Sequence, residues 1–424
     1  MIRKTGFPKP IRAAVRHPGR LQRSHLFRCT ALLVTALLLF SLPGCRETET
    51  GTLPRASAAG DGAAGETVSA EDATRSIIPP KDPITLTFIG DIMAHKNNYS
   101  MPDYNDIYKD IKDLFLEDDL TFGNLEFPVC EDLPMSTFPA FNVHPPYVEA
   151  AINAGIEIFS CANNHTTDKG PDGIKKTYAA MQEFEREHGI YFSGIRKDLE
   201  KPYRAEYILY KRWEIGFLAA TEHLNTHWGS EYVHIVDYHD EEALASFLEL
   251  LREETGGFDL FILSFHGGRE YRLLPMKKKA EFFEKCLQNG VDIIWAHHPH
   301  VLQPWSLEKR PAGDKLVLYS TGNFISGQTY FLDPKTSSGA NPYTGEGAVF
   351  QVRLRDVEDK PVIHSVSTVP IANYKHPKEG TVVRRHIHLP SAPDVPEVWR
   401  RYYAGRLPET AVLAADYTIP NILP

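Results

Sequence analysis

Four short, apolar, β-branched runs in this chain each end on residues that carry chemistry. Residues 84–89 (ITLTFI) run into Gly90-Asp91, and 156–162 (IEIFSCA) into Asn163-Asn164-His165. Residues 258–265 (FDLFILSF) meet His266, and 291–295 (VDIIW) lead through Ala296 into His297-His298-Pro299-His300. Their length and composition predict strands. Stretches of helical length and period lie between and around them, at 145–154, 171–188, 240–255 and 275–289. Strand-like runs at 315–319, 348–353 and 362–368 follow with little helix between. The alternation predicts an α/β fold with a β-rich C-terminal third. In open α/β sheets ligands collect beyond the carboxyl ends of strands, so the polar residues mark a site.

Taken singly, each motif has an ordinary explanation. Asp91 could cap a helix. Glu126, in Gly123-Asn124-Leu125-Glu126-Phe127-Pro128, could be a surface carboxylate. Asn163-Asn164-His165 could close a turn, because Asn tolerates left-handed backbone. A lone His266 would be a hydrogen-bonded core residue. The three histidines at 297, 298 and 300 resist such an account. From an extended segment, side chains 298 and 300 point the same way and can face one ion, while His297 points opposite. The joint pattern decides. Asp, Glu, Asn, His and a His-x-His at successive strand ends form the mixed oxygen and nitrogen donor set suited to Mn, Fe or Zn. No cysteine accompanies them, which argues against a structural zinc knot. A dinuclear site of this kind polarises a phosphoryl or carbonyl oxygen and generates hydroxide near neutral pH.

Charge is unevenly spread along the 424 residues. The chain carries 46 Lys plus Arg against 55 Asp plus Glu, a formal net charge of −9. Residues 1–45 hold eight of the basic residues and no acid, so the remainder has 38 positive against 55 negative, or −17. So acidic a body excludes broad affinity for nucleic acid. After the basic stretch, residues 30–42 are apolar and lead into Pro43-Gly44-Cys45. The run is short for a membrane span and suits a signal-peptide core. Leu42 and Gly44 before Cys45 resemble a bacterial lipobox, which predicts lipidation at Cys45 and an exported, membrane-anchored lipoprotein at the cell envelope. A non-cleaved anchor and a plainly secreted protein are the alternatives. Residues 46–80, rich in Ala, Gly, Thr and Glu, read as a flexible tether. The main domain is expected over 81–375, with 376–424 as a C-terminal extension packing on it or trailing it. Cys130, Cys161 and Cys286 match no metal or redox spacing, and no disulfide is predicted among them.

Six strings in order carry a resemblance. They are Gly90-Asp91-Ile92-Met93, Asn124-Leu125-Glu126-Phe127-Pro128, Ala162-Asn163-Asn164-His165-Thr166-Thr167-Asp168-Lys169-Gly170, His266-Gly267-Gly268-Arg269-Glu270-Tyr271, Ala296-His297-His298-Pro299-His300-Val301 and Tyr319-Ser320-Thr321-Gly322-Asn323-Phe324. Over about 85–370 the chain resembles the bacterial capsule synthesis protein CapA family, associated with poly-γ-glutamate and similar to calcineurin-like metallophosphoesterases. The resemblance implies a four-layer α/β sandwich, two mixed β-sheets flanked by helices, with two divalent ions. It implies that Asp91 and His300 bind the first metal and that Glu126 bridges. Asn164, His266 and His298 would bind the second, and His165 would be the catalytic acid or transition-state stabiliser.

Departures from that pattern mark the open positions. The phosphoesterase Asp-x-His appears as Asp91-Ile92-Met93, which removes one first-metal ligand; His95 is a candidate replacement. Glu126 stands where Asp is usual, and Gly267 where the family has Trp. His297, Arg269, Glu270, Tyr271 and Asn323 are further candidates for metal or substrate contact, with Asn323 and Tyr319 read as site wall. Lys277-Lys278-Lys279 reads as a solvated helix face or, alternatively, a basic patch. Two functions of different class follow. One is a metal-dependent hydrolase or transferase acting on an anionic envelope polymer such as poly-γ-glutamate, with a phosphoesterase as a weaker variant. The other is a non-catalytic accessory subunit of a membrane-bound polymer synthase.

Overall fold

The computed structural model describes residues 80–415 apart from 311–312, 330–331, 336–341, 359 and 377–379. The expected signal, Cys45 and nearly all of the tether lie outside the described residues.

Strands are β1 (Ile84–Ile92), β2 (Leu120–Leu125), β3 (Ile158–Ser160), β4 (Tyr191–Ser193), β5 (Glu206–Tyr210), β6 (Trp213–Thr221), β7 (Leu260–His266), β8 (Ile293–His297), β9 (Trp305–Glu308), β10 (Lys315–Leu318), β11 (Asn323–Ile325), β12 (Glu346–Val357), β13 (Lys360–His376) and β14 (Gly380–Arg385). The longer helices are α1 (Pro145–Asn153), α2 (Gly170–His188), α3 (Glu241–Thr255), α4 (Lys277–Gln288) and α5 (Glu397–Ala414). Proline in the first turn starts α1 and α2, and Gly189 at φ 70° ends α2. Asp240 caps α3 by accepting from the Ala243 amide.

Two mixed sheets result. The first runs β14-β13-β12-β1-β2-β3-β4, with β11 also on β1; the second runs β5-β6-β7-β8-β10-β9. β1 to β4 are parallel, as are β6, β7, β8 and β10, while the outer hairpins are antiparallel. The sheets meet face to face through large aromatics. Phe122 of β2 lies 5.6 Å from Phe217 of β6 and 6.0 Å from Trp295 of β8, and the Trp295 indole donates to the Ile89 carbonyl. Such rings each bury a large apolar area and fix the spacing of the layers. Helices flank the pair. α3 and α4 cover the second sheet with a separate cluster built on Phe247, Phe282 and Phe283.

The α/β reading and its β-rich end agree with this architecture. The boundary expected at 375 falls inside β13, because β14 continues the first sheet and α5 packs beyond it. Arg406 of α5 grips Glu346 of β12 through two hydrogen bonds. The parallel strands of both sheets point their carboxyl ends toward one region.

Candidate metal centre

Asp91 sits within β1, fully buried, held in register with Asn124 of β2 and Asn323 of β11. The strand admits this triple junction because residue 90 has no side chain. A Cβ on Gly90 would lie 1.8 Å from the Gly322 carbonyl oxygen. Asp91 Oδ2 is 3.0 Å from His300 Nδ1, and Oδ1 accepts from Asn124 Nδ2 at 2.8 Å. Glu126 follows β2 and is also fully buried. Its Oε1 lies 3.8 Å from His266 Nε2 and 3.7 Å from His300 Nε2. Beyond β3, Asn164 Oδ1 lies 2.8 Å from His266 Nε2, which in turn is 3.2 Å from His298 Nδ1. Asp91, Glu126, Asn164, His266, His298 and His300 therefore form one buried cluster.

The histidine loop reaches this arrangement differently from expectation. The segment is bent, not extended: His298 and His300 have φ of 92° and 56°. Left-handed backbone costs energy for residues with a Cβ and persists where its surroundings enforce it. Both imidazoles nonetheless face the cluster. His297, the last residue of β8, stands edge-on to Trp295 with its Nδ1 3.5 Å from Asp91 Oδ1.

Electrostatics make the cluster fit a cation. Burial, reinforced by the charges of Asp91 and Glu270, holds the Glu126 carboxyl well above its ordinary range. Burial and neighbouring imidazoles push His266 and His298 well below theirs, leaving neutral rings with lone pairs to give. For Asp91, burial is the largest single influence and pushes upward. The hydrogen bonds from His300 and Asn124 and the charges of His300 and His297 together outweigh it, and its carboxyl lies below the ordinary value. Glu126 Oε1, Asn124 Oδ1 and both His297 nitrogens are buried with no hydrogen-bond partner among the described residues. Unpaired buried polar atoms are costly. A divalent ion offsets that cost where its donors are carboxylate oxygen and neutral imidazole. Among the described residues two donor triads have their ligand atoms within 4.8 Å of one another: Asp91, Glu126 and His300, and Glu270, His298 and His300.

Beside the cluster stands His165, whose Nδ1 is 2.7 Å from Asp168 Oδ2. Asp168 Oδ2 also accepts from the Phe141 amide at 2.7 Å, and the Phe141 ring packs edge-on to the imidazole. Among the remaining candidates, His95 turns its Nδ1 to the Gly327 amide at 3.0 Å. Asn323 Oδ1 is 3.0 Å from His300 Nδ1, while its amide donates to Gln328 and the Thr344 carbonyl, as a wall residue would. Arg269, Glu270 and Tyr271 are exposed on the loop after β7. Tyr319 instead lies in the outer core against Phe283. Lys279 corrects the solvated-face reading of its run: it is buried and donates to the Gly267 and Tyr319 carbonyls. Lys277 and Lys278 are exposed as expected, and Cys130, Cys161 and Cys286 are free and buried.

A loop not anticipated from the sequence completes the site. After β6, the His223 ring stands 4.6 Å from that of His298, and Asn225 contacts both Asn164 and His165. The missed signal was the familiar one, since 213–221 is another apolar strand ending on Glu222-His223. Asn124 and Asp168 stood inside recognised strings without an assigned role.

Fold and site together define an α/β two-sheet sandwich with a carboxylate and imidazole centre at its strand ends. Residues 85–328 match the family described as bacterial capsule synthesis protein PGA_cap, and the chain belongs to that family. It is 26% identical over 301 residues to the capsule biosynthesis protein CapA of Bacillus anthracis, covering 67% of this chain and 68% of that protein. It is 24% identical over 260 residues to the PGA biosynthesis protein CapA of Bacillus subtilis (strain 168), covering 58% and 64%. Solved structures with some likeness include a phosphatase from Mycoplasma pneumoniae, with TM-score 0.42, 16% identity and coverage of 69% of this chain and 94% of that one. The calcineurin-like phosphoesterase YfkN from Bacillus subtilis has TM-score 0.37, 11% identity and coverage of 80% and 100%.

Proposed function

We propose that this protein is a metal-dependent hydrolase or transferase of the cell envelope that acts on an anionic capsular polymer, poly-γ-glutamate or a related amide. The observation that carries the reading is the His165–Asp168 pair beside Asn164. A scaffold that merely holds a chain has no use for a buried imidazole oriented by a buried carboxylate.

Asp91, Glu126, Asn164, His266, His298 and His300 would hold two divalent ions of the Mn, Fe or Zn class. Such ions, when bound, polarise the scissile carbonyl and supply a nucleophile at neutral pH. The chain's own residues do the rest. Asp168 accepts a hydrogen bond from the Nδ1–H of His165 and fixes the ring, leaving Nε2 to carry the transferable proton. As the amide C–N bond breaks, that proton goes to the departing nitrogen. Water as acceptor gives hydrolysis; a second amine gives transfer. Asn225 keeps Asn164 and His165 in mutual register. Exposed Arg269 and Arg272 lie on the loop after β7 that also carries Glu270, and on an otherwise acidic body they suit a polyanion.

The second reading is an accessory subunit of a membrane-bound synthase, favoured by Met93, which offers no oxygen or nitrogen donor where the related enzymes have His. In both readings a lipid on Cys45 would tether the body to the membrane. The test offers poly-γ-glutamate, peptidoglycan fragments and a generic phosphodiester to the full chain supplied with Mn²⁺. Cleavage or transfer on the polymer, lost in His165→Ala with bound metal retained, supports the enzyme. Polymer production in cells by His165→Ala at the parent's level supports the scaffold. Activity on the phosphodiester alone would make the protein a phosphoesterase.

A further inference from the structure

We propose that Glu270 is a metal ligand, completing the centre from its open side in place of the donor absent at position 93. The inference rests on the two-metal reading above and adds one residue to it.

The starting point is a shortage. Asp91-Ile92-Met93 brings one donor where Asp-x-His would bring two, and the Met93 side chain is buried in the apolar core. His95 is the replacement that chain position suggests, yet its ring is otherwise engaged. Nδ1 accepts from the Gly327 amide, and the ring meets the edge of Phe141. His95 belongs to neither of the donor triads.

Glu270 belongs to one. Its carboxylate and the ring nitrogens of His298 and His300 lie within 4.8 Å of one another. That spacing puts the carboxylate within reach of an ion held by His300, the residue the two triads share, since oxygen and nitrogen donors sit about 2.0–2.2 Å from a bound metal. The loop that carries Glu270 is tied to the histidine loop. The Gly267 amide donates to the His297 carbonyl at 3.2 Å, and the Tyr271 amide to the Pro299 carbonyl at 2.9 Å. On its far side the Gln303 amide donates to the Arg272 carbonyl at 2.7 Å. Gly268, at φ 110°, donates to Glu222 at 2.6 Å, and Tyr271 takes a left-handed φ of 61°. Glu270 thus lies in a turn pinned on both sides to the backbone that flanks His298. Buried ligands alone would leave the centre fed only from beneath; an exposed carboxylate caps the solvent side. With Asp91 and Glu126 it makes three carboxylates, a donor set that favours harder ions such as Mn²⁺.

The experiment is calorimetric titration of the metal-stripped full chain with Mn²⁺, with ions per chain counted by elemental analysis. Parent, Glu270→Gln, Arg269→Ala and His95→Ala are compared. Expected is a fall in affinity for Glu270→Gln greater than the roughly 10–100-fold that loss of an outer-shell partner costs. Arg269→Ala and His95→Ala should stay within a few-fold of the parent. Parent-like binding by Glu270→Gln overturns the assignment while leaving the two-metal reading intact. An equal loss in Arg269→Ala overturns it too, because the loop and not the carboxylate would then be responsible. A parent chain that binds no Mn²⁺ overturns the two-metal reading itself.

Discussion

His165 Nδ1 lies 2.7 Å from Asp168 Oδ2, and both side chains are almost wholly buried. The two residues are three apart in one turn, so a single local structure delivers both the imidazole and the group that orients it. His165→Ala should leave metal content nearly intact and lower activity on the polymer by about 10²–10⁴-fold, the range for a lost general acid. Asp168→Asn should cost less, and the double variant should be no worse than His165→Ala alone, since the pair acts as a unit. Additive losses in the rate measurements would separate the two residues.

On the proposed reading His298 and His300 hold the opposite kind of role, as metal ligands. Each contributes a ring nitrogen to the buried cluster, so His298→Ala and His300→Ala should each lose bound metal. Their melting temperatures should fall furthest below the parent's when metal is present, because the parent alone gains the binding energy. Elemental analysis and thermal melts with and without Mn²⁺ check this. Full metal occupancy in the double variant would sink the ligand assignment.

Much of the frame was legible because period and strand-end chemistry agree. The helix expected at 171–188 is α2 (Gly170–His188), and the strand expected at 258–265 is β7 (Leu260–His266). Shape at single residues was not legible. Nothing in His298-Pro299-His300 announces two left-handed residues, since strain of that sort is imposed by the tertiary surroundings. Lys279 shows the same limit. Three consecutive lysines on an amphipathic helix suggest solvent, yet the third turns under the β7 loop to reach two carbonyls. The loop at His223 and Asn225 was hidden by attention to four strands when a fifth, β6, ends in the same way.

Arg406 and Glu346 tie the C-terminal helix to the first sheet. The Arg406 Nε donates to Glu346 Oε1 at 2.7 Å, and the two side chains are 12% and 3% exposed. Breaking a buried pair by removing one partner costs about 3–5 kcal/mol, chiefly by stranding the other charge. Arg406→Met should destabilise the protein on that scale by denaturant titration, while Arg406→Met with Glu346→Leu should recover part of the loss. A single variant as stable as the parent would show that α5 contributes little.

Lipidation is checked away from the metal centre. Cys45→Ala should abolish incorporation of a labelled fatty acid and release the protein from membranes in cells. Label on the Ala variant would overturn the lipobox reading, and a parent chain that takes up no label would leave the uncleaved anchor or the secreted form.

Glu157 and Asp118 make a carboxyl pair at the other end of the strands. Thr121 links them, donating its amide to Glu157 Oε2 at 2.8 Å and its hydroxyl to Asp118 Oδ2 at 2.7 Å. Burial pushes Glu157 from 4.5 up to about 7, and Asp118 from 3.8 up to about 7. Between those limits the folded chain holds protons that the unfolded chain has released. Stability from this pair is therefore full at low pH and declines as pH rises through about 7. Glu157→Gln keeps an acceptor for the Thr121 amide and removes the titration of that residue. Between pH 5 and 8 the parent should thus lose stability relative to Glu157→Gln, with the gap levelling off above about pH 7. Titrations elsewhere, including those of the metal centre, are common to both proteins and cancel in the difference. Thermal melts of both at unit pH intervals measure it, and parallel curves across the range would show that Glu157 does not titrate with a raised value.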